Sequence, residues 1–167
     1  MRLRQPGPMT TYTARPVDST ALKELRTADD AGRPLSPFPD EEGGAPLRCC
    51  LRRSRPGERI ALVSYAPLRR WSAETGAEPG AYDEQGPVFI HADECAGPEG
   101  REGYPFADAH RTVRRYSADG RILGGELVEA PDDDAFRNAF DDPSVALVHV
   151  RAVEYGCFLY EVRRPPA

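Results

Sequence analysis

The chain has 167 residues, and its 17 Pro and 15 Gly exclude long helical bundles, coiled coils and regular repeat arrays. Acidic residues outnumber Lys and Arg by 27 to 22, which gives a net charge of −5, so no nucleic-acid partner is expected. The sequence has no apolar run of about 18 residues and no secretory signal at its start. We therefore expect no membrane partner and a cytoplasmic location.

The first part of the chain, residues 1–45, is predicted to be a polar and flexible N-terminal leader. Asp18, Ser19 and Thr20 offer an N-cap before Leu22 and Leu25, which are spaced for one face of a helix, so one short helix is expected here. Residues 32–44 contain three prolines and are predicted to form a linker. Compact structure is expected to begin at residue 46.

From residue 46 to 164 the pattern changes to short strands separated by Gly, Pro and Asp. The predicted strands are residues 58–65, 87–92, 112–116, 121–128, 144–151 and 157–162. Asp119 and Gly120 predict a tight hairpin turn, and 132–140 predicts a second short helix with acids at its start. Residues 71–83 are predicted to be a loop. The expected fold is a single α+β domain, mostly antiparallel β sheet or a small β-barrel, with two short helices.

The last two strands are predicted to form a hairpin that turns about Val153. In that register His149 lies opposite Cys157 and Leu147 lies opposite Leu159. A histidine and a cysteine would then be neighbours on one face of the sheet.

Histidine and cysteine side chains at strand ends suggest one candidate site. A zinc site is one interpretation, because two imidazoles and two thiolates from His91, Cys95, His149 and Cys157 would suit tetrahedral zinc. In the alternative, the thiols are small buried apolar groups and the histidines hydrogen-bond to backbone carbonyls. Either version describes a non-catalytic domain.

The favoured interpretation is a small enzyme that binds a polar, anionic small molecule and needs no cofactor. His149 or His91 would transfer protons, since the ordinary pKa of histidine lies near neutrality. Cys50 is the candidate nucleophile, because neighbouring arginines favour its thiolate. The predicted anchors for the anionic ligand are Arg48, Arg114 and Arg151.

Several sequence pieces, in chain order, resemble one bacterial family, the domain of unknown function 1203. They are Pro46 to Leu51, Gly57 to Arg59, Ser64 to Pro67, Gly86 to His91, Cys95, Val113 to Tyr116, His149 to Arg151 and Gly156 to Phe158. The resemblance covers residues 46–164 and implies a single β-rich domain without an established activity. It also implies that one recurrent set of residues belongs together: Arg48, Cys50, His91, Cys95, Arg114, His149, Arg151 and Cys157. The chain departs from the family pattern at Ala152, where Asn is common.

Overall fold

Two antiparallel sheets form the framework of the chain in a computed structural model that describes residues 10–100 and 102–166. The first sheet has the order β1-β2-β3, with β1 at Phe38–Asp40, β2 at Glu58–Tyr65 and β3 at Gly86–His91. The second has the order β5-β4-β6-β7, with β4 at Arg111–Ser117, β5 at Ile122–Val128, β6 at Val145–Ala152 and β7 at Phe158–Arg163. The α+β, mostly antiparallel fold is confirmed, whereas the alternative of a small barrel is wrong because neither sheet closes on itself.

Both helices predicted from the sequence are confirmed, as α1 at Ser19–Leu25 and α3 at Asp133–Phe140. Each begins after an aspartate whose side chain accepts a hydrogen bond from a backbone N–H of the first turn: Asp18 caps α1 and Asp132 caps α3. These caps satisfy N–H groups that have no partner inside the helix.

The loop predicted over residues 71–83 is wrong, because α2 occupies Pro67–Thr75 and a single 3₁₀ turn follows at Gly80–Tyr82. Pro67 begins the helix, a position where the missing N–H of proline costs nothing. Leu68 and Trp71 lie one turn apart and are buried, and the left-handed Gly76 ends the helix. The sequence analysis took Pro67 as the end of a strand and overlooked this spacing.

The described part of the predicted leader, residues 10–45, lies against the two sheets. The prediction of a linker over 32–44 is wrong in part, because β1 lies within it and pairs with β2. Leu25 of α1 is fully buried in the core beside the first sheet. Residues 1–9 of the predicted leader lie outside the described residues.

The predicted register of the last hairpin is wrong. His149 pairs with Glu161 and Leu147 pairs with Arg163, so Cys157 does not lie opposite His149. The reason is the length of the connection: residues 153–157 join the strands, Gly156 adopts a left-handed conformation, and the register shifts after Val150. The observed register differs from the predicted one by an even number of residues. The partner of His149 on β7 therefore faces the same side of the sheet as the predicted partner, but it is Glu161 and not Cys157.

Each helix covers a different part of the sheets. α1 packs on the first sheet and α3 on the second, where Phe136 is fully buried. α2 places Leu68 and Trp71 against Tyr116 and Leu147 on the opposite face of the second sheet. Among the described residues, no helix is both long enough and apolar enough to cross a membrane.

Candidate metal centre

A tight turn over residues 47–52 brings two cysteines to the end of β3. Leu47 forms a parallel bridge with Phe89, and the N–H of Arg48 donates to the Phe89 carbonyl at 2.9 Å. The turn closes when the N–H of Leu51 donates to the Leu47 carbonyl at 2.9 Å, with Leu51 in the left-handed region at φ 56°. Cys49 and Cys50 therefore lie beside His91, the last residue of β3.

Four potential metal ligands meet at this point. One donor atom from each of Cys49, Cys50, His91 and Cys95 lies within 4.8 Å of the others. The Sγ atoms of Cys49 and Cys50 are 3.9 Å apart, and they lie 3.4 Å and 3.8 Å from His91 Nδ1. Ligands of a tetrahedral zinc ion are about 3.8 Å apart for two sulfurs and about 3.6 Å apart for sulfur and nitrogen. The three spacings among Cys49, Cys50 and His91 lie within about 0.2 Å of these values, whereas 4.8 Å is the limit for the set that includes Cys95.

Two of the three sulfurs of the cluster accept hydrogen bonds from backbone N–H groups. The N–H of His91 donates to Cys49 Sγ at 3.3 Å, and that of Gly97 donates to Cys95 Sγ at 3.5 Å. Such bonds favour the thiolate, which is the form of cysteine that binds a metal.

A carboxylate fixes the orientation and tautomer of the His91 ring. Nε2 lies 2.8 Å from Glu58 Oε2, and Glu58 also accepts two hydrogen bonds from Arg52, at 2.7 Å and 2.9 Å. Arg52 Nη2 is farther from the ring, at 3.4 Å, and already donates to Glu58. The proton is therefore on Nε2, so the lone pair of Nδ1 is directed at the sulfurs. This is the carboxylate–histidine arrangement that supports metal ligands.

The two adjacent thiols share a proton. The hydrogen bond from Cys49 lowers the pKa of Cys50 to about 6, helped by the Arg52 backbone and by the positive charge nearby. The same hydrogen bond, together with burial, raises the pKa of Cys49. The hydrogen bond from Arg52 lowers the pKa of Glu58. At neutral pH the cluster therefore contains a thiolate on Cys50, and the Glu58 carboxylate beside it is ionised.

The cluster forms one wall of an open pocket of about 370 Å³. Cys50, His91 and Cys95 line it together with Arg52 and Asp93. Two predicted catalytic residues, Cys50 and His91, therefore share a pocket. Their catalytic roles stay predictions.

The family model described as protein of unknown function (DUF1203) matches residues 44–164 of the chain. The chain belongs to this family. This confirms the resemblance inferred over residues 46–164. No curated protein and no solved structure matches the chain.

The third predicted catalytic residue of this DUF1203 chain, His149, does not line the Cys50 and His91 pocket. It is fully buried, with its ring 4.6 Å from that of Tyr116 and 4.9 Å from that of Phe158. Neither ring nitrogen has a hydrogen-bond partner among the residues that the structure describes. Burial, and then the charges of Arg151 and Arg114, lower its pKa well below the ordinary value.

The three predicted anion anchors of the DUF1203 chain also lie outside that pocket. Arg114 and Arg151 both donate to Glu84. Arg48 is buried and donates to two backbone carbonyls, with Nε 2.7 Å from that of Phe158. Its contacts link the 47–52 turn to the start of β7.

The zinc ligands predicted from the sequence were His91, Cys95, His149 and Cys157, and the cluster contains only the first two. Cys157 lies at the turn before β7 and is hydrogen-bonded to the Tyr155 carbonyl. The predicted set does not include Cys49, the fourth potential ligand of the cluster.

The sequence analysis also did not predict Glu58, the carboxylate that contacts the His91 ring. A signal for it was present, because antiparallel pairing of residues 58–65 with 87–92 places Ile60 opposite His91. Glu58 lies two residues before Ile60 on the same face, within diagonal reach of the imidazole.

Proposed function

We propose that the chain is a zinc-binding domain in which Cys49, Cys50, His91 and Cys95 hold one ion. The observation that carries the proposal is the meeting of their four donor atoms within 4.8 Å, although His91 is 42 positions from Cys49 along the chain. A site of three sulfurs and one nitrogen suits zinc better than magnesium or calcium, which prefer oxygen ligands.

The role of the ion in this proposal is structural. Four protein ligands complete a tetrahedral sphere and leave no position for a substrate, whereas catalytic zinc sites keep one position open. The ion would tie the 47–52 turn to His91 on β3 and to Cys95 in the loop that follows. Because such a site does not exist in the unfolded chain, metal binding adds directly to folding stability.

Metal analysis of the purified protein tests the proposal. We expect about one zinc per chain in the wild type and a large loss of zinc in Cys95→Ser and His91→Ala, since each removes one of four ligands. Cys157→Ser and His110→Ala are the matched controls, because both residues lie outside the cluster. Equal zinc contents in the ligand variants and in the controls would refute the assignment.

Cobalt substitution gives a second readout of the same site. Cobalt in a tetrahedral site with thiolate ligands shows strong visible absorption, which should appear in the wild type and in Cys157→Ser. Loss of this absorption in Cys49→Ser would support the involvement of the cysteine that the sequence analysis missed. Unchanged absorption in that variant would remove Cys49 from the ligand set.

The enzyme predicted from the sequence is the second candidate function. The observation in its favour is the pocket of about 370 Å³ shared by Cys50 and His91, whose Sγ and Nδ1 atoms are 3.8 Å apart. A small anionic molecule would then bind in that pocket. Thiol titration separates the two candidates: a structural zinc masks Cys49, Cys50 and Cys95 and leaves only Cys157 reactive, whereas a metal-free nucleophile makes Cys50 the fastest thiol.

The four cysteines are free. Free thiols and thiolate-bound zinc suit a reducing compartment. We therefore propose a location in the bacterial cytoplasm.

A further inference from the structure

Two arginines from neighbouring strands of the second sheet donate to one carboxylate oxygen. Arg151 Nη2 lies 2.5 Å and Arg114 Nη1 lies 2.9 Å from Glu84 Oε1. Arg151 belongs to β6 and Arg114 to β4, so the sheet holds both guanidinium groups in place. Glu84 instead belongs to the short connection between the 3₁₀ turn and β3, and its side chain is 48 % exposed.

Arg151 is buried in this contact, whereas Glu84 is half exposed. Arg151 is only 6 % exposed, and its Nη1 donates to the Gly156 carbonyl at 2.9 Å. Its Nε is buried and has no acceptor within the part of the chain that the structure describes. A buried cation with an unused donor is costly unless an anion offsets it. Here the half-exposed carboxylate of Glu84 is the anion for both Arg151 and Arg114.

A small cavity opens beside Arg151. Its volume is about 160 Å³, close to that of five water molecules in the liquid. Glu84, Tyr65, Cys157 and Phe158 line it together with Arg151. The wall includes residues from four of the sequence pieces that carry the family resemblance, at 64–67, 86–91, 149–151 and 156–158. The cavity wall therefore combines a buried cation, an aromatic surface and a thiol.

We propose that this cavity binds a small organic carboxylate, and that Glu84 occupies the place of the ligand carboxylate until the ligand displaces it. A planar guanidinium matches a carboxylate in geometry, and the contact with Glu84 already has that form. The cavity has room for a molecule of a few heavy atoms whose body packs against Tyr65 and Phe158. Glu84 competes with the ligand for Arg114 and Arg151. When its side chain moves away, both guanidinium groups can interact with the ligand carboxylate.

This site is separate from the metal centre. The pocket at the cysteine cluster and the cavity beside Arg151 have no lining residue in common. The two proposals therefore succeed or fail independently, and zinc content does not report on the cavity.

Alkylation of Cys157 tests the site in the wild-type protein. Iodoacetate is a small carboxylate and iodoacetamide is its neutral analogue, so a carboxylate site beside Cys157 raises the rate of iodoacetate relative to iodoacetamide. Peptide-level mass spectrometry distinguishes Cys157 from the three cysteines of the cluster. Acetate should protect Cys157 from iodoacetamide at concentrations where formamide does not. Equal protection by acetate and formamide would overturn the proposal.

Glu84→Gln removes the competitor and keeps the size of the side chain. We expect the ratio of iodoacetate to iodoacetamide rates at Cys157 to rise by about tenfold or more, the worth of one charge-assisted hydrogen bond. Glu74→Gln is the matched control, because Glu74 is a similarly exposed carboxylate that binds Arg163 in an ion pair elsewhere. Arg151→Gln should abolish the preference. A ratio that is unchanged in Glu84→Gln, or raised equally in Glu74→Gln, would refute the assignment.

A titration with inorganic phosphate decides the ligand class. Chemical shifts of the Gly156 and Cys157 amides should move with acetate in Glu84→Gln and should move at least about tenfold less at the same phosphate concentration, because phosphate is tetrahedral and has no apolar part to pack against Tyr65 and Phe158. Stronger binding of phosphate would overturn the assignment to carboxylates.

Discussion

Replacing His149 with phenylalanine should make the protein less sensitive to acid. His149 is fully buried between the rings of Tyr116 and Phe158, and both of its nitrogens lack partners among the described residues. Phenylalanine keeps a flat ring in this position but cannot take up a proton. The comparison therefore isolates the titration of one buried imidazole.

The sign follows from the direction of the pKa shift. Burial lowers the pKa of His149 well below 6.5, and Arg151 and Arg114 lower it further. The folded protein therefore keeps the ring neutral, while the unfolded chain binds a proton near pH 6.5. The stability contributed by the neutral ring is present above that pH and is lost as the pH falls. Because the unfolded chain binds a proton near pH 6.5 and the buried ring stays neutral, the loss at pH 5 relative to pH 7.5 is about 2 kcal/mol.

Urea denaturation at pH 7.5, 6.0 and 5.0 measures this loss. The free energy of unfolding of the wild type, minus that of His149→Phe, should fall by about 2 kcal/mol from pH 7.5 to pH 5.0. Titrations of carboxylates and of the cysteine and histidine cluster are common to both proteins and cancel in the difference. His110→Phe is the control, because this histidine is half exposed. The difference in free energy of unfolding between the wild type and His110→Phe should not fall by the same amount. A difference that stays constant with pH would refute the account of a neutral buried ring.

Three further predictions concern the metal site, the core and a helix cap. Glu58→Gln should weaken zinc binding by about tenfold to a hundredfold, because the group that orients the histidine ligand loses its charge; competition with a chelator measures this, and Glu74→Gln should leave the affinity unchanged. Phe136→Ala should lower the free energy of unfolding by about 3–5 kcal/mol, since the ring is fully buried, while the exposed Phe38→Ala should cost far less; urea denaturation of both variants measures the contrast. Asp18→Ala should cost about 1 kcal/mol through loss of the cap on α1, and a loss below about 0.3 kcal/mol in the same denaturation assay would contradict that role.

Local signals predicted the elements whose causes lie within a few residues. The sequence predicts a cap within residues 18–20, where Asp18 caps α1 in the structure, and Asp119 with Gly120 connects β4 to β5. Caps and tight turns act between neighbours in the chain, so they can be recognised without knowledge of the fold. α2 was missed although its signals are equally local, because Pro67 suits both the end of a strand and the first turn of a helix.

The candidate site depended on contacts between distant parts of the chain. The sequence pointed to His91 and Cys95 as ligands, but only the bridge between Leu47 and Phe89 brings Cys49 to the imidazole. The register of the last hairpin separated Cys157 from its predicted neighbour.

By itself, the sequence determined the fold class, the family and the kinds of side chain available for chemistry. Tertiary structure decided which of them meet: a cysteine and histidine cluster at the end of β3, and two arginines around Glu84 at the other end of that strand. The physical reason is that residue type and spacing fix local conformation. Turn length, strand register and packing decide which side chains become neighbours, and these depend on the whole chain.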